Sequence, residues 1–274
     1  MDEQQVLVQA LHEDIQDGDV TTRATIPQSK ILRGTFLVKE SGIISGLSVV
    51  KQIFLMLDKQ SLFHAYIKDG ASVQKGQTIA EITGKGRAIL SGERTALNFL
   101  QRMSGIATVT RYYVEAVKGT KAIILDTRKT VPGLRYFDKQ AVRDGGGKNH
   151  RFGLFDMYLV KDNHIAAAGS ITKAMHAIRK VNRKNLLIEV EVTNKRELLE
   201  AIETHPDRIM LDNMDLAAIR NAVGIVHGRI PLEVSGGVDL ESVTAIAQTG
   251  VDYISIGRLT HSVKALDISL EITK

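Results

Sequence analysis

Residues 187–257 read LIEVEVTNKRELLEAIETHPDRIMLDNMDLAAIRNAVGIVHGRIPLEVSGGVDLESVTAIAQTGVDYISIG, and this stretch alternates short apolar runs with amphipathic segments. The apolar runs end at Glu191, Asp212, Ser235 and Gly257, which are 21, 23 and 22 residues apart. Short apolar runs that alternate with helical patterns are typical of parallel βαβ units. The spacing therefore predicts a parallel sheet with helices packed against it.

Two more apolar runs lie upstream, AIIL before Asp126 and MYLV before Lys161, which makes six strand candidates. No G-x-G-x-x-G fingerprint of a dinucleotide-binding sheet follows the first of them. We therefore predict an α/β barrel of parallel strands, complete or partly open. Residues 31–90, including RAIL at 87–90, read as short strands and turns and predict a smaller N-terminal α+β domain.

The boundary between these domains falls in a helical pattern that we expect to open with Ser91 as its N-cap and to end by Gly119. We assign residues 1–104 to the N-terminal α+β domain and residues 105–267 to the barrel. Residues 268–274 are a candidate to return to the first domain.

Composition excludes several classes of function. The net charge of +5 could suggest nucleic acid, but 7 Phe, 6 Tyr and no Trp leave few platforms for stacking bases, so we expect no nucleic-acid partner. The absence of Cys excludes disulfides, cysteine zinc sites and thiol nucleophiles. No apolar run approaches the roughly 20 residues of a membrane span, and the first residues lack the apolar core of a signal peptide. We expect no membrane partner and a cytoplasmic protein.

The region between Ile124 and Ile165 contains eight Lys/Arg and two His residues. Five of these side chains lie at or just past the ends of predicted strands, where α/β folds build their sites: Arg128, Lys129, His150, Arg151 and Lys161. Such a concentration of cations predicts a small, highly anionic ligand. The alternative is a solvated basic surface, which rarely contains three consecutive glycines such as Gly145 to Gly147.

Carboxylates occur inside the apolar run LIEVEV, where a period of two places Glu189 and Glu191 on one face. Glu191 and, one strand on, Asp212 are candidates for binding ribose hydroxyls or Mg²⁺. The alternative is that both form ion pairs that hold Arg128 or Lys161. Glu189 lies deeper, and we interpret it as structural.

Small residues close the last two predicted strands, as Ser235-Gly236-Gly237 and Ser255-Ile256-Gly257. In barrels of this class the last two strand-loop pairs often hold phosphate, although each string by itself is compatible with an ordinary turn. Together with the cations and carboxylates, these loops predict a site for a phosphorylated sugar that carries further phosphate.

Longer motifs resemble those of the quinolinate phosphoribosyltransferase family, and they run in order through nearly the whole chain: EDIQDGDVTT, SGERTALNFLQRMSGIAT, DTRKTVPGLR, GGGKNHRFGL, KDNHI, EVEV, IMLDNM, EVSGGV and ISIGRLTHS. The resemblance implies that quinolinate and phosphoribosyl pyrophosphate react to give nicotinate mononucleotide, pyrophosphate and CO₂ in de novo NAD biosynthesis. It also implies substrate-bound Mg²⁺ and a homodimer, and it leaves open whether dimers form hexamers. The sequence departs from the family at Arg258, whose role stays open, and at Val131.

The resemblance further implies the site residues. Its TRK motif matches Thr127, Arg128 and Lys129, and its other motifs match His150, Arg151, Lys161, Glu191, Asp212 and the loops 235–237 and 255–257. Arg94 matches an arginine that the family donates across the dimer interface. We assign Arg94, Arg128 and Arg151, helped by His150, to the substrate carboxylates, because guanidinium groups bind carboxylates through two parallel hydrogen bonds.

The remaining matches suit the transfer itself. Lys129 and Lys161 suit the pyrophosphate and the transferring centre, and Glu191 or Asp212 suits the positive charge that develops on the ribose. A protein Mg²⁺ site at these two carboxylates is the weaker expectation, because the ion binds mainly through pyrophosphate.

Three other functions are compatible with parts of the sequence. They are a phosphoribosyltransferase-like protein associated with molybdenum transport, a nicotinate phosphoribosyltransferase, and a non-catalytic carrier module suggested by VQKGQTIAEI. KDNHI and the acidic pair argue against the first, the Arg-rich pocket against the second, and the absence of an exposed Met-Lys-Met hairpin against the third.

Overall fold

The computed structural model describes residues 3–273, which form two compact units. The N-terminal unit contains the described residues up to Arg111, Thr130–Gly146 and the described residues from Leu259 onward. The barrel unit contains Tyr112–Lys129 and Gly147–Arg258. The division of the chain at residues 104 and 105 stays a prediction, because compact units follow spatial contacts and here collect separate segments.

The elements follow one another along the chain in a mixed order. They are α1 (Glu3–Ile15), α2 (Val20–Thr25), β1 (Ile31–Val38), β2 (Gly42–Ile43), α3 (Leu47–Leu57), β3 (Leu62–Ala65), β4 (Ser72–Val73), β5 (Thr78–Lys85), α4 (Gly86–Ala116), β6 (Ile123–Leu125), α5 (Arg135–Asp144), β7 (Tyr158–Val160), α6 (Asp162–Ala168), α7 (Ile171–Val181), β8 (Ile188–Val192), α8 (Lys195–Glu203), β9 (Arg208–Asp212), α9 (Leu216–Val226), β10 (Leu232–Ser235), α10 (Val243–Ala247), β11 (Tyr253–Ser255), α11 (Arg258–His261) and β12 (Ile268–Thr273).

The N-terminal unit is built on an antiparallel sheet in the order β12-β1-β5-β3, with β2 and β4 paired beside it. Strand β12 pairs with β1 from Arg33 opposite Thr273 to Val38 opposite Ile268, so the last described strand lies in this sheet. Phe36 is fully buried and contacts Phe54 of α3 edge to face, with ring centroids 6.3 Å apart. The predicted smaller α+β domain is confirmed.

Helix α4 begins earlier than the sequence indicated, and the prediction of a strand at 87–90 is wrong. The helix follows β5 without a loop, and the Gly86 N–H donates to Lys30 O at 2.7 Å. A Cβ at Gly86 would lie 2.9 Å from Leu32 Cγ, so the close approach favours glycine. The predicted cap Ser91 lies inside the helix, and its hydroxyl donates to Asp19. Only a glycine marks the true start, and a glycine alone does not predict a helix.

The barrel unit contains a six-stranded parallel sheet in the order β7-β8-β9-β10-β11-β6. All six predicted strands are confirmed. Within residues 3–273 no ladder joins β6 to β7, so the barrel is partly open. Lys148 forms a single parallel bridge with Leu125 at the outer side of β6.

Polar caps set the beginnings of the helices between these strands. The side chains of Ser170, Asn194 and Asp215 cap the starts of α7, α8 and α9. Each accepts the backbone N–H of the residue three positions later. Such caps satisfy N–H groups that have no partner within the helix. In the described part of the chain, no helix is both long and apolar enough to cross a membrane.

The N-terminal unit also contains a buried ion pair between two helices. Arg102 on α4 donates to both carboxylate oxygens of Asp138 on α5, at 2.9 and 2.8 Å. Asp138 is fully buried and also accepts the Val131 N–H at 3.3 Å. Burial raises the pKa of Asp138, and Arg102 opposes that rise.

We expect Arg102→Met to lower the free energy of unfolding by about 3–5 kcal/mol, because it leaves a buried carboxylate without its counter-charge. Urea unfolding measures the change. The matched control is Arg33→Met, which breaks the exposed pair between Arg33 and Glu81 and is expected to have little effect. Equal effects of the two substitutions would contradict the prediction.

Candidate functional site

Most predicted site residues of the barrel unit lie at or near the carboxyl ends of its strands, whereas His150 and Arg151 lie in the irregular segment before β7, so their predicted placement at a strand end is wrong. Ser235 pairs with Asp212 on one side and with Ser255 on the other, so these three residues form one row across the sheet. Glu191 lies two residues earlier in register, opposite Met210. Arg94 is exposed on α4 in the N-terminal unit and not in the barrel unit.

Lys161 and Glu191 form an ion pair at the ends of β7 and β8. Lys161 Nζ donates to Glu191 Oε2 at 2.5 Å, and 44% of the lysine side chain is exposed against 6% of the glutamate. His164 Nδ1 accepts the Lys161 N–H at 3.0 Å and fixes the backbone there. The alternative of an ion pair is therefore met for Glu191, whereas Asp212 accepts a hydrogen bond from Asn213.

The loop after β10 is shaped by its neighbour after β9. Asn213 donates through its amide to Asp212 Oδ2 at 2.8 Å and through its backbone to Ser235 O at 2.9 Å. Gly236 has a φ of +91°, and a Cβ there would lie 2.2 Å from Asn213 Oδ1. Both facts exclude a side chain at Gly236 without rearrangement. Gly237 has a φ of +63° and faces open space.

The loop after β11 differs from the loop after β10. Ser255 is buried, and its hydroxyl lies beside Glu233. There it opposes the rise that burial causes in the pKa of Glu233. Ile256 is buried as well, and its N–H donates to Leu125 O at 3.0 Å. Gly257 is the partly exposed member of the three. The contact of residues 255–257 with phosphate stays a prediction, and Gly257 is the residue best placed for it.

Arg128 lies close enough to Arg151 to affect the pKa of Arg151. Burial lowers the pKa of Arg151, and the positive charge of Arg128 lowers it further. Arg151 Nη1 donates to Met157 O at 3.2 Å. The TRK turn that carries Arg128 is closed by the Lys129 N–H, which donates to Thr127 Oγ1 at 3.0 Å. Like charges held together in a partly buried place favour an anion between them.

A buried cluster of four charged or ionisable side chains, His150, Glu189, Arg208 and Glu233, lies in the interior of the barrel unit. Arg208 Nη1 donates to Glu233 Oε2 at 2.7 Å, and His150 Nε2 lies 2.9 Å from Glu189 Oε2 and 3.5 Å from Glu233 Oε1. Burial raises the pKa of both glutamates to about 7; for Glu233 the negative charge of Glu189 adds to the rise.

Glu233 and Arg208 are not among the predicted site residues. A signal for Glu233 was present, because it interrupts the apolar strand LEV just as Glu189 interrupts LIEVEV. Arg208 carries no such signal, since a charged residue at the start of a strand is common at a surface. Its partner becomes visible only when β9 and β10 are adjacent.

The tautomer of His150 follows from its partners. The Arg151 N–H donates to His150 Nδ1 at 2.7 Å, so this nitrogen carries no proton. The proton of the neutral ring is therefore on Nε2 and is donated to Glu189. The His150 side chain is 6% exposed. Direct contact of His150 with a ligand stays a prediction, because both ring nitrogens have partners within the protein.

Two groups of side chains could be considered for a metal ion. The ligand atoms of His150, Glu189 and Glu233 all lie within 4.8 Å of one another, but the guanidinium of Arg208 on Glu233 disfavours a cation there. Glu191 and Asp212 offer carboxylate oxygens near the strand ends, which suit Mg²⁺. Lys161 already occupies Glu191 Oε2 and disfavours a cation held by the protein alone, so these two residues fit only an ion whose other ligands come from a substrate.

Comparisons with known proteins agree over both units. The family "Quinolinate phosphoribosyl transferase, C-terminal domain" matches residues 106–271, and the corresponding N-terminal domain family matches residues 19–104. Quinolinate phosphoribosyltransferase [decarboxylating] 1 of Nicotiana glauca is 47% identical over 97% of this chain and 81% of its own length. The probable nicotinate-nucleotide pyrophosphorylase [carboxylating] of Bacillus subtilis is 46% identical over 95% and 90%.

A solved structure is similar as well. The crystal structure of NadC from Streptococcus pyogenes superimposes with a TM-score of 0.95 at 41% identity, over 98% of this chain and 96% of that one.

The buried cluster predicts how stability depends on pH. The pKa of Glu233 is about 7 in the folded protein against an ordinary value of 4.5, so the folded state binds the proton more tightly. The stabilisation from this group is complete below pH 4.5 and is lost as the pH rises to about 7. We expect the free energy of unfolding of the wild type, relative to Glu233→Gln, to fall by roughly 3 kcal/mol across this window.

Urea unfolding of both proteins at several pH values measures this difference. A difference that does not change with pH would contradict the assignment of the shift to Glu233.

Proposed function

The chain belongs to the quinolinate phosphoribosyltransferase family, and we propose that the strand-end cations of its barrel unit bind the anionic groups of the substrates. It is a nicotinate-nucleotide diphosphorylase (carboxylating), a pentosyltransferase. It converts quinolinate and phosphoribosyl pyrophosphate to nicotinate mononucleotide, pyrophosphate and CO₂ in de novo NAD biosynthesis.

The observation that carries the site proposal is the proximity of Arg128 to Arg151. Quinolinate is a pyridine with two adjacent carboxylates. The partly buried guanidinium of Arg151 and the exposed guanidinium of Arg128, whose charges repel each other, match such a dianion. Bound quinolinate lowers the repulsion between them. A monocarboxylate such as nicotinate neutralises only half of this charge, so the pair disfavours the nicotinate-specific alternative.

The sugar substrate is assigned to the other strand ends. Lys129 and Lys161 bind pyrophosphate oxygens as mobile point charges, and the loop 235–237 receives the phosphate on the ribose. As the pyrophosphate leaves, positive charge develops on the ribose. The carboxylates of Glu191 and Asp212 stabilise this charge, and the ion pair with Lys161 holds Glu191 in place.

Loss of CO₂ follows from the chemistry of the adduct. Once the ring nitrogen is bonded to the ribose it carries a positive charge. This charge stabilises the electron pair that stays on C2 when the 2-carboxylate leaves as CO₂, and C2 then takes up a proton from solvent. The reaction requires no covalent nucleophile, which agrees with a chain that contains no Cys. The protein contributes by binding quinolinate and phosphoribosyl pyrophosphate so that the ring nitrogen of quinolinate faces the ribose.

We further propose that Mg²⁺ accompanies the pyrophosphate and that Glu191 and Asp212 hold it from the protein side. When bound, the ion neutralises charge on the leaving group. This proposal is supported by the carboxylate oxygens of the two residues, which are the ligands that Mg²⁺ prefers. One of these oxygens, Glu191 Oε2, also accepts a hydrogen bond from Lys161.

We also propose a homodimer in which Arg94 completes the site of the partner subunit. Exposure of Arg94 on α4 supports a role outside its own unit. A hexamer of such dimers, a cytoplasmic location and the absence of a nucleic-acid partner stay predictions.

The reaction is tested with purified protein, phosphoribosyl pyrophosphate and either quinolinate or nicotinate, following mononucleotide and CO₂. We expect equal amounts of both products from quinolinate, dependence on added Mg²⁺, and no turnover of nicotinate. Arg151→Ala is expected to raise the KM for quinolinate by about 10- to 150-fold, which corresponds to the 1.5–3 kcal/mol of a charged hydrogen bond. Arg220→Ala, an exposed arginine on α9, is the control and leaves KM unchanged.

Turnover of nicotinate in place of quinolinate would reject the assignment of the arginine pair to a dicarboxylate.

The shared site is tested by mixing two inactive variants, Arg94→Ala and Lys161→Ala, and allowing subunits to exchange. A dimer that contains one subunit of each variant has one intact site, because its Lys161 and its Arg94 come from different subunits. We expect about a quarter of wild-type activity after exchange at equal amounts. Verified mixed dimers without activity would show that Arg94 acts within its own subunit.

A further inference from the structure

We propose that Glu189 and Glu233 are positioning residues for quinolinate: they fix His150, which in turn fixes the backbone of Arg151. The inference rests on the proposed function, since it takes Arg151 to bind a substrate carboxylate. It assigns a role in substrate recognition to two buried carboxylates that do not reach the substrate themselves.

His150 forms a bridge between Glu189 of β8 and the backbone of Arg151. Its Nε2 proton is donated to Glu189 at 2.9 Å, and its Nδ1 accepts the Arg151 N–H at 2.7 Å. The imidazole therefore connects a fully buried strand residue to the backbone of the arginine. A rotation of the ring breaks both hydrogen bonds together.

The segment that carries Arg151 needs such anchors. Residues 149–157 form neither helix nor strand, and Phe152, Leu154 and Phe155 are exposed. Asp126, after β6, accepts the His150 N–H at 2.9 Å and the Asn149 amide at 2.5 Å. The imidazole on Glu189 provides a second anchor, on a different strand. Irregular backbone is held by contacts of this kind and not by a ladder.

Glu233, the second carboxylate that faces His150, is itself held in place. Glu233 is held by Arg208 at 2.7 Å, and the guanidinium of Arg208 lies over the ring of Tyr253, 4.0 Å from its centroid. Glu233 Oε1 lies 3.5 Å from His150 Nε2. Glu189 and Glu233 therefore face the imidazole from β8 and β10. The interior of the barrel restricts the ring on two sides.

A structural role alone would lower stability and affect both substrates equally. A positioning role instead affects quinolinate, because Arg151 is assigned to quinolinate, whereas Lys161, which follows β7, is assigned to pyrophosphate. A rise in the KM for quinolinate without a rise in the KM for phosphoribosyl pyrophosphate therefore distinguishes a positioning role from a purely structural one.

The test compares Glu189→Leu, which removes the acceptor, with Glu189→Gln, which keeps an acceptor oxygen of similar position. We expect Glu189→Leu to raise the KM for quinolinate at least tenfold and to leave the KM for phosphoribosyl pyrophosphate within about twofold of the wild type. Glu189→Gln is expected to restore most of the affinity for quinolinate. If Glu189→Leu does not fold, Glu233→Gln is measured in the same way, with a smaller rise expected for quinolinate alone.

A double-mutant cycle with His150→Leu tests whether Glu189 acts through the imidazole. If it does, Glu189→Leu adds no further rise in KM to the His150→Leu protein. Additive effects, or a parallel rise in both KM values, would overturn the proposal.

The matched control is Asp252→Asn, at the residue just before β11 of the same sheet. Asp252 accepts the Leu232 N–H at 2.9 Å and pairs with Lys121, and neither contact reaches His150. We expect this variant to unfold at lower urea concentration with both KM values unchanged. Wild-type protein that does not turn over quinolinate would reject the proposed function itself. Wild-type turnover with an unchanged KM in the Glu189 and Glu233 variants would reject the positioning role alone.

Discussion

Two carboxylates buried inside a parallel sheet constrain the barrel unit more than any other feature. An isolated ionised carboxylate in an apolar interior costs several kcal/mol, so Glu189 and Glu233 require partners at defined places. Arg208 at the start of β9 and His150 beyond β6 supply them. The partners come from different strands and loops, so they are satisfied together only when β8, β9 and β10 are adjacent and in the observed register. The buried charges thus favour one arrangement of the sheet over others that bury the same apolar residues.

The strands of the barrel unit could be predicted from the sequence because each is a short apolar run with a polar end. The repeat of 21 to 23 residues reflects one strand and one helix of ordinary length, and the caps Asn194 and Asp215 mark the helix starts. The start of α4 could not be predicted, since β5 passes into it at Gly86 without a loop. Local patterns identify elements, whereas a junction without turn residues depends on packing such as that of Gly86 against Leu32.

The residues of the site could be predicted from the sequence more fully than the contacts between them. The positions of Lys161 and Glu191 at neighbouring strand ends follow from the strand assignments, and the ion pair between them was one of the considered outcomes. The position of His150 was not predictable, because the segment after Gly147 has no periodicity that shows which way its side chains point. Sequence motifs indicated that His150 belongs to the site, but its ring is occupied by Glu189 and by the backbone of Arg151.

The open side of the barrel has a mechanical consequence. A closed barrel has a fixed circumference, because every strand is bonded on both sides and none can move outward without breaking a ladder. In the part of the chain that the structure describes, β6 and β7 share no ladder, so the seam between them can widen or narrow at no loss of strand pairing. Arg128 follows one edge of this seam and Lys161 follows the other. The distance between these two cations is therefore not set by a strand ladder across the seam.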